Sequence, residues 1–258
     1  MVRPKKHLGQ HFLTDPSIAR RITDALVPDG PSTVIEIGPG TGVLTGELLL
    51  RQELRLIPVE IDHEAVEYLL QKYPGLAPSL QETDFLKADL SAFISGPFYV
   101  IGNFPYNISS QIFFKLLEYR ENLVQVVCML QKEVAERLVA GPGTKDYGIL
   151  SVLLQAYFDA EYLFTVKPGS FFPPPAVNSA VIRLTRNSVS QLGCDEKLFR
   201  NIVKTTFNQR RKTIRNSIRP ILPVEASEHE LLTRRPEQLA VSEFVNLTNW
   251  VSGRKSDQ

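Results

Sequence analysis

Apolar residues recur along the first two-thirds of the chain in two alternating rhythms. Ile18, Ile22 and Leu26 stand at helical spacing behind Asp15-Pro16, a capping acid followed by a proline at the first helical position. A short apolar run at 34–37 then ends in Gly38-Pro39-Gly40-Thr41-Gly42, and a helical stretch follows through Leu50. Strand-like runs recur at 54–60, 80–83, 99–102 and 124–130, and helical stretches at 63–73, 109–118, 133–139 and 150–158. Two late strands, 162–167 and 180–184, have no helix between them. Alternating strand and helix predicts a doubly wound, Rossmann-like α/β fold with a parallel sheet, and the late pair predicts an antiparallel strand added at its end.

The pattern breaks at a polar stretch, Asn187-Ser188-Val189-Ser190-Gln191. Beyond it only helical periodicity remains, through Leu198, Ile202, Ile214, Ile218, Leu239, Phe244 and Leu247. The expected organisation is an α/β domain over 1–186 and a small all-helical domain over 187–258.

Composition narrows the class. The chain has 258 residues, of which 43% are hydrophobic and 22% charged, which suits one or two globular domains and excludes wholesale disorder. Apolar runs such as Val126 to Leu130 fall far short of the roughly 20 residues of a membrane span, so no membrane association is expected. The basic start, Met1 to His7, is not followed by an apolar stretch, so no secretory signal is read. Two cysteines, Cys128 and Cys194, make neither a disulfide framework nor a four-cysteine zinc site, which points to a reducing cytoplasm. His7, His63 and His229 lack metal-ligand spacing, and no metal is expected.

Charge is unevenly placed. Eight Lys or Arg and no acid occupy 197–219, leaving 21 basic against 28 acidic residues elsewhere on a chain of net charge +1. A solvated helix face usually mixes signs, so this segment reads as a surface for a polyanion.

The strand ends carry the candidate chemistry. Glu36-Ile37-Gly38-Pro39-Gly40-Thr41-Gly42 lets backbone approach a nucleotide-like ligand, although the same glycines also suit a tight strand-to-helix turn. The spacing is neither that of a dinucleotide fingerprint nor that of a P-loop. Glu60 ends the next strand, where a carboxylate suits ribose hydroxyls, and Asp84 follows the third, where it suits an adenine amino group. Acids at successive strand ends beside a glycine turn indicate an adenosine ligand with no phosphate-binding device. The fourth strand runs into Asn103-Phe104-Pro105-Tyr106-Asn107, which reads either as a proline turn with an Asn cap or as a grip on a heterocyclic amine. In the second reading the Asn103 amide oxygen and the carbonyl before Pro105 hold the amine, and Tyr106 stacks on the base.

Taken in order, Gln10-His11-Phe12-Leu13, the Glu36 to Gly42 run, Glu60, Asp84, Asn103 to Asn107, Leu130 to Val134, Phe171 to Ser179 and Phe207 to Thr213 resemble the ribosomal RNA adenine dimethyltransferases. Within them the likeness is to the bacterial small-subunit, kasugamycin-resistance dimethylase family, and it covers nearly the whole chain. The resemblance implies transfer of methyl groups from S-adenosyl-L-methionine to N6 of two adjacent adenosines in a hairpin loop near the 3′ end of small-subunit (16S) ribosomal RNA. The partners it implies are that RNA and the assembling small subunit, and a monomer is expected. It also implies that His11, Leu13, Gly38, Glu60, Asp84 and Asn103 bind the cofactor. Asn103, Pro105, Tyr106 and Phe171 would form the catalytic site, with Tyr106 and Phe171 sandwiching the target base. Lys204, Arg210, Arg211, Lys212 and Arg215 would bind RNA. Two positions depart from the family pattern: His11 stands where Asn is more frequent, and Phe104 where Leu is usual. The alternatives are a large-subunit dimethylase of the macrolide-resistance type and an RNA-binding assembly factor that has lost catalysis.

Overall fold

The structure, a computed structural model, describes residues 2–222 and 229–253; the remainder of the expected helical domain, 223–228 and 254–258, lies outside the described residues. In chain order the first stretch comprises β1 (Phe12–Leu13), α1 (Pro16–Asp24), β2 (Ser32–Ile37), α2 (Val43–Leu48), β3 (Leu54–Glu60), α3 (His63–Lys72), β4 (Gln81–Glu82), β5 (Phe98–Asn103), α4 (Ser109–Glu118) and β6 (Leu123–Gln131). There follow α5 (Lys132–Val139), α6 (Ile149–Gln155), β7 (Phe158–Val166), β8 (Phe171–Phe172), β9 (Ser179–Arg186), α7 (Glu196–Asn208), α8 (Ile214–Ser217) and α9 (Val241–Gly253).

The main sheet has the order β4-β3-β2-β5-β6-β9-β7. Pairs β2/β3, β2/β5, β3/β4 and β5/β6 are parallel, and β9 runs antiparallel to β6 from Gln125↔Thr185 to Gln131↔Ser179. The expected late antiparallel strand is therefore β9, inserted between β6 and β7. Helices cover both faces of such a sheet, which is why β5 is buried throughout 98–102 instead of alternating. The chain winds outward from β2 through β3 to β4, then returns to β5 and β6 on the other side. This reversal opens a crevice at the carboxyl ends of β2 and β5.

Element ends differ from the sequence reading where tertiary partners intervene. The first helix stops at Asp24, short of Leu26, with the Arg51 guanidinium donating to the Thr23 and Leu26 carbonyls at 3.0 Å each. The helix expected over 150–158 ends at Gln155, and β7 begins at Phe158, four residues before the expected 162. A small ladder stands apart from the main sheet: β1 pairs antiparallel with β8, Phe12 opposite Phe172 and Leu13 opposite Phe171.

Two compact units result, 1–135 with 159–186, and 136–158 with 187–258. The expected division at 186/187 needs correction for 136–158, which packs with the helical unit. Within that unit the Gly143 amide donates to the Glu237 carbonyl at 2.6 Å, the Arg210 guanidinium donates to the carbonyls of Thr144 and Lys145 at 3.1 and 2.5 Å, and Tyr147 sets its ring edge on Phe207 at 6.0 Å. Buried Val152, Leu153 and Leu154 of α6 obtain cover in this unit, where α6 packs on α7.

Candidate active site

The crevice is a cleft of about 950 Å³, counting its open mouth. His11, Gly38, Glu60, Asp84, Asn103, Pro105 and Tyr106 all line it, so seven of the residues singled out in the sequence meet at the ends of four strands. Phe12, Ile37, Phe85 and Ile108 supply apolar walls.

The glycine turn earns its residues individually. Gly38 has φ +65°, and nothing lies within 4 Å of where a Cβ would stand, leaving room that a ligand can fill. Gly40, at φ +56°, is instead hemmed in: a Cβ there would meet the Phe12 ring at 2.8 Å, so β1 lies directly on the turn.

Glu60 is buried, and its carboxylate is built into the turn. Oε2 accepts the Gly40 amide at 3.0 Å, and Oε1 accepts those of Ile61 and Asp62 at 2.9 Å each. An ionised carboxylate has about four acceptor positions. Three are filled, so one on Oε2 is left for a ribose hydroxyl. Burial pushes the Glu60 carboxyl up from its ordinary value, opposed by the three amides. Glu36, on β2, is more extreme: burial pushes it up to about 8. The Thr45 hydroxyl donates to Glu36 Oε2 at 2.7 Å, and Oε1 has no partner among the described residues.

The segment before β1 is clamped to the same site. Lys5 Nζ meets Asp62 Oδ1 at 2.6 Å, and Gln10 Nε2 donates to Asp62 Oδ2 at 3.0 Å. Burial acts to raise the Asp62 carboxyl, but these bonds outweigh it and hold it below the usual range. Asp84, beyond β4, accepts the Leu86 amide at 2.9 Å and stays half-buried in the wall.

At the end of β5, Asn103 Nδ2 donates to the His11 carbonyl at 2.8 Å. A carbonyl cannot donate, so this bond decides which end of the amide faces away from the cleft wall: Oδ1 is left as the free acceptor. Phe104 is buried with its amide on the Met129 carbonyl at 2.9 Å, and its own carbonyl accepts no hydrogen bond among the described residues. Two acceptors thus stand side by side with Tyr106 next to them. The Tyr106 hydroxyl bonds Ser179, and its ring stacks on His11, centroids 5.3 Å apart and planes 25° off parallel.

Two sequence-assigned residues do not line the cleft. Leu13 and Phe171 are 5% and 4% exposed and belong to the hydrophobic core, opposite one another in the β1/β8 ladder. Strand alternation turns Phe171 inward and leaves Phe172 60% exposed.

In the helical unit Lys204, Arg211, Lys212 and Arg215 are exposed, whereas Arg210 is half-buried by its carbonyl bonds and stands 3.7 Å from Glu237. The acids missing from the segment thus come partly from outside it. Lys197, Arg200, Asn201 and Lys204 line a shallow groove on α7, which adds two cations to the expected RNA-binding residue Lys204. Their spacing of three, four and seven places them on one side of the helix. No group of three or more His, Cys, Asp or Glu able to hold a metal is found among the described residues. No helix among them is long and apolar enough to cross a membrane.

Residues 1–251 match the family model described as ribosomal RNA adenine dimethylase. The chain belongs to the ribosomal RNA adenine dimethylase family. It is 57% identical over 250 residues to the ribosomal RNA small subunit methyltransferase A of Parabacteroides distasonis, covering 96% of this chain and 94% of that one. Its identity to the protein of the same name from Bacteroides thetaiotaomicron is 55% over 254 residues, 97% and 95% of the two chains. Among solved structures, a dimethyladenosine transferase from Plasmodium falciparum superposes with a TM-score of 0.79 at 26% identity, over 96% of this chain and 98% of that one. The 23S rRNA methyltransferase ErmE follows with a TM-score of 0.67, also at 26% identity, over 92% and 99%. The family is one of S-adenosylmethionine-dependent methyltransferases, and the sheet is the Rossmann-like one of that class.

Proposed function

We propose that this protein dimethylates N6 of two adjacent adenosines in a hairpin loop near the 3′ end of small-subunit ribosomal RNA, acting in the cytoplasm as a monomer on the assembling subunit. The observation that carries this reading is the Asn103 amide, committed by its Nδ2–His11 bond to offer oxygen, beside the unbonded Phe104 carbonyl. The cofactor fits the cleft: Gly38 leaves open space beneath it, Glu60 keeps one acceptor position for its ribose, and Asp84 suits its adenine. When bound, S-adenosylmethionine supplies an electrophilic methyl group on a sulfonium. The chain's own residues present the amine. Asn103 Oδ1 and the Phe104 carbonyl accept its two hydrogens and draw the nitrogen toward tetrahedral geometry, freeing the lone pair that conjugation ties up in the ring. Tyr106 receives the flipped base. The amine becomes acidic as the new nitrogen–carbon bond forms and the methyl–sulfur bond breaks, and it loses one proton to solvent, so the neutral acceptors need only orient it and positioning supplies most of the acceleration.

The small-subunit assignment rests on relatives of that name at 57 and 55% identity, against 26% for the 23S enzyme. The test is transfer of labelled methyl to isolated ribosomal subunits. Label in small-subunit RNA alone, recovered as dimethyladenosine, is the expected result; label confined to large subunits overturns the reading, and retained RNA binding without transfer points to an assembly factor.

A further inference from the structure

His11 joins three parts of the cleft at once. Its main-chain carbonyl accepts Asn103 Nδ2, and its ring Nδ1 lies 2.8 Å from the Pro173 carbonyl. Its ring face lies on Tyr106. Because the Pro173 oxygen only accepts, Nδ1 carries the hydrogen, which fixes the tautomer and the ring plane. Both ring anchors belong to segments distant in sequence, and His11 is the residue where they meet.

The stack also closes one approach to the base. A nucleobase between two parallel rings needs about 7 Å, twice a contact of roughly 3.5 Å. The 5.3 Å separation leaves no such space, so a base that stacks on Tyr106 must take the face away from His11. With Phe171 sunk in the core, the ring behind Tyr106 is His11.

We propose that His11 is a positioning residue for the target base: its ring backs Tyr106 and pins the Pro173 loop, and its carbonyl turns Asn103 Oδ1 toward the amine. This base-side role stands beside the cofactor contact that the family resemblance implies for the same position. This deepens the adenine-N6 reading and rests on it.

Two variants separate the ring's two contacts. His11→Asn keeps a donor for Pro173 but removes the stack; His11→Phe keeps the stack but removes the donor. Each should lower kcat/KM on small subunits about tenfold, the scale of one such contact, with the loss persisting when S-adenosylmethionine is saturating by calorimetry. His11→Asn should also raise the share of monomethyladenosine, because a loosened Tyr106 holds the once-methylated base less well. In a Tyr106→Ala background His11→Asn should cost little more, since the stack is already gone. His11→Phe alone should speed amide exchange over 170–179. The proposal is overturned if either variant loses cofactor affinity tenfold while kcat holds, or if His11→Asn matches wild type in rate and product ratio. If the wild-type protein itself methylates no small subunits, the functional reading fails. Cofactor affinity and amide exchange then still decide whether His11 pins the loop.

Discussion

The cleft and the basic face recognise by opposite means. In the cleft each polar group is held in place before any ligand arrives: Glu60 by three amides, Asn103 by the His11 carbonyl, Asp62 by Lys5 and Gln10. On the basic face Lys204, Arg211, Lys212 and Arg215 are exposed side chains on α7, α8 and the turn between them. A prebuilt site selects by geometry and is insensitive to salt. An array of solvated cations attracts by field and is screened within about 8–10 Å at ordinary ionic strength. On the proposed reading, one surface chooses the atom and the other gathers the polymer.

The contrast is broken most severely at its base, the core beneath the cleft. Phe171→Ala should destabilise the protein by about 3–5 kcal/mol, the cost of emptying a core aromatic site, read as a lowered Tm. Phe172→Ala, on an exposed ring, should leave Tm nearly unchanged. Equal melting temperatures for the two variants would return Phe171 to the base-stacking role that its motif implies.

Next comes Asn103→Ala, which removes the acceptor that the proposed mechanism uses in the transition state. It should lower kcat on the order of 100-fold while RNA affinity and salt dependence hold. An unchanged rate would make the Asn103 to Tyr106 run a structural turn.

Glu36 tests how much stability was given up to bury acids near the cleft. Raised from 4.5 to about 8, it stays protonated in the folded state while the unfolded chain ionises. The folded state then binds more protons, so stability falls as pH rises from about 4.5 to about 8 and is flat above that. Glu36→Gln should flatten the profile and gain on the order of 3 kcal/mol over wild type at pH 8, by denaturant unfolding at several pH values. A wild-type profile independent of pH over this range would contradict the assignment.

Glu60→Ala leaves the Gly40, Ile61 and Asp62 amides unpaired and should weaken S-adenosylmethionine binding by about 1.5–3 kcal/mol, with RNA binding retained. Calorimetry giving unaltered affinity would remove Glu60 from the ribose site.

The smallest effect lies on the basic face. Replacing Arg211, Lys212 and Arg215 by alanine should flatten the salt dependence of RNA binding by roughly 0.7–0.9 per lost phosphate contact and leave the cofactor untouched. Arg210→Ala, by contrast, should register mainly in stability, because its guanidinium holds the Thr144 and Lys145 carbonyls. An unchanged salt slope for the triple variant would make the segment a solvated face.

By itself the sequence determined the local frame: alternating strand and helix, the glycine turn after β2, and an acid or amide at the end of each successive parallel strand. These signals are short-ranged. Period, capping and φ > 0 act within a few residues, so Gly38, Glu60, Asp84 and Asn103 could be placed at strand ends, and a parallel sheet must bring those ends together. Only the tertiary structure decided what depends on pairing between distant segments. The β1/β8 ladder joins 12–13 to 171–172, and its pleat sends Phe171 into the core and Phe172 outward, a choice two adjacent phenylalanines cannot announce. The 136–158 segment followed the cover available to its apolar face into the helical unit. Asn103 and His11, 92 positions apart, settle each other's geometry through one bond. Such contacts are set by which groups compete for the same donor or the same buried surface, and that competition exists only once the chain has folded.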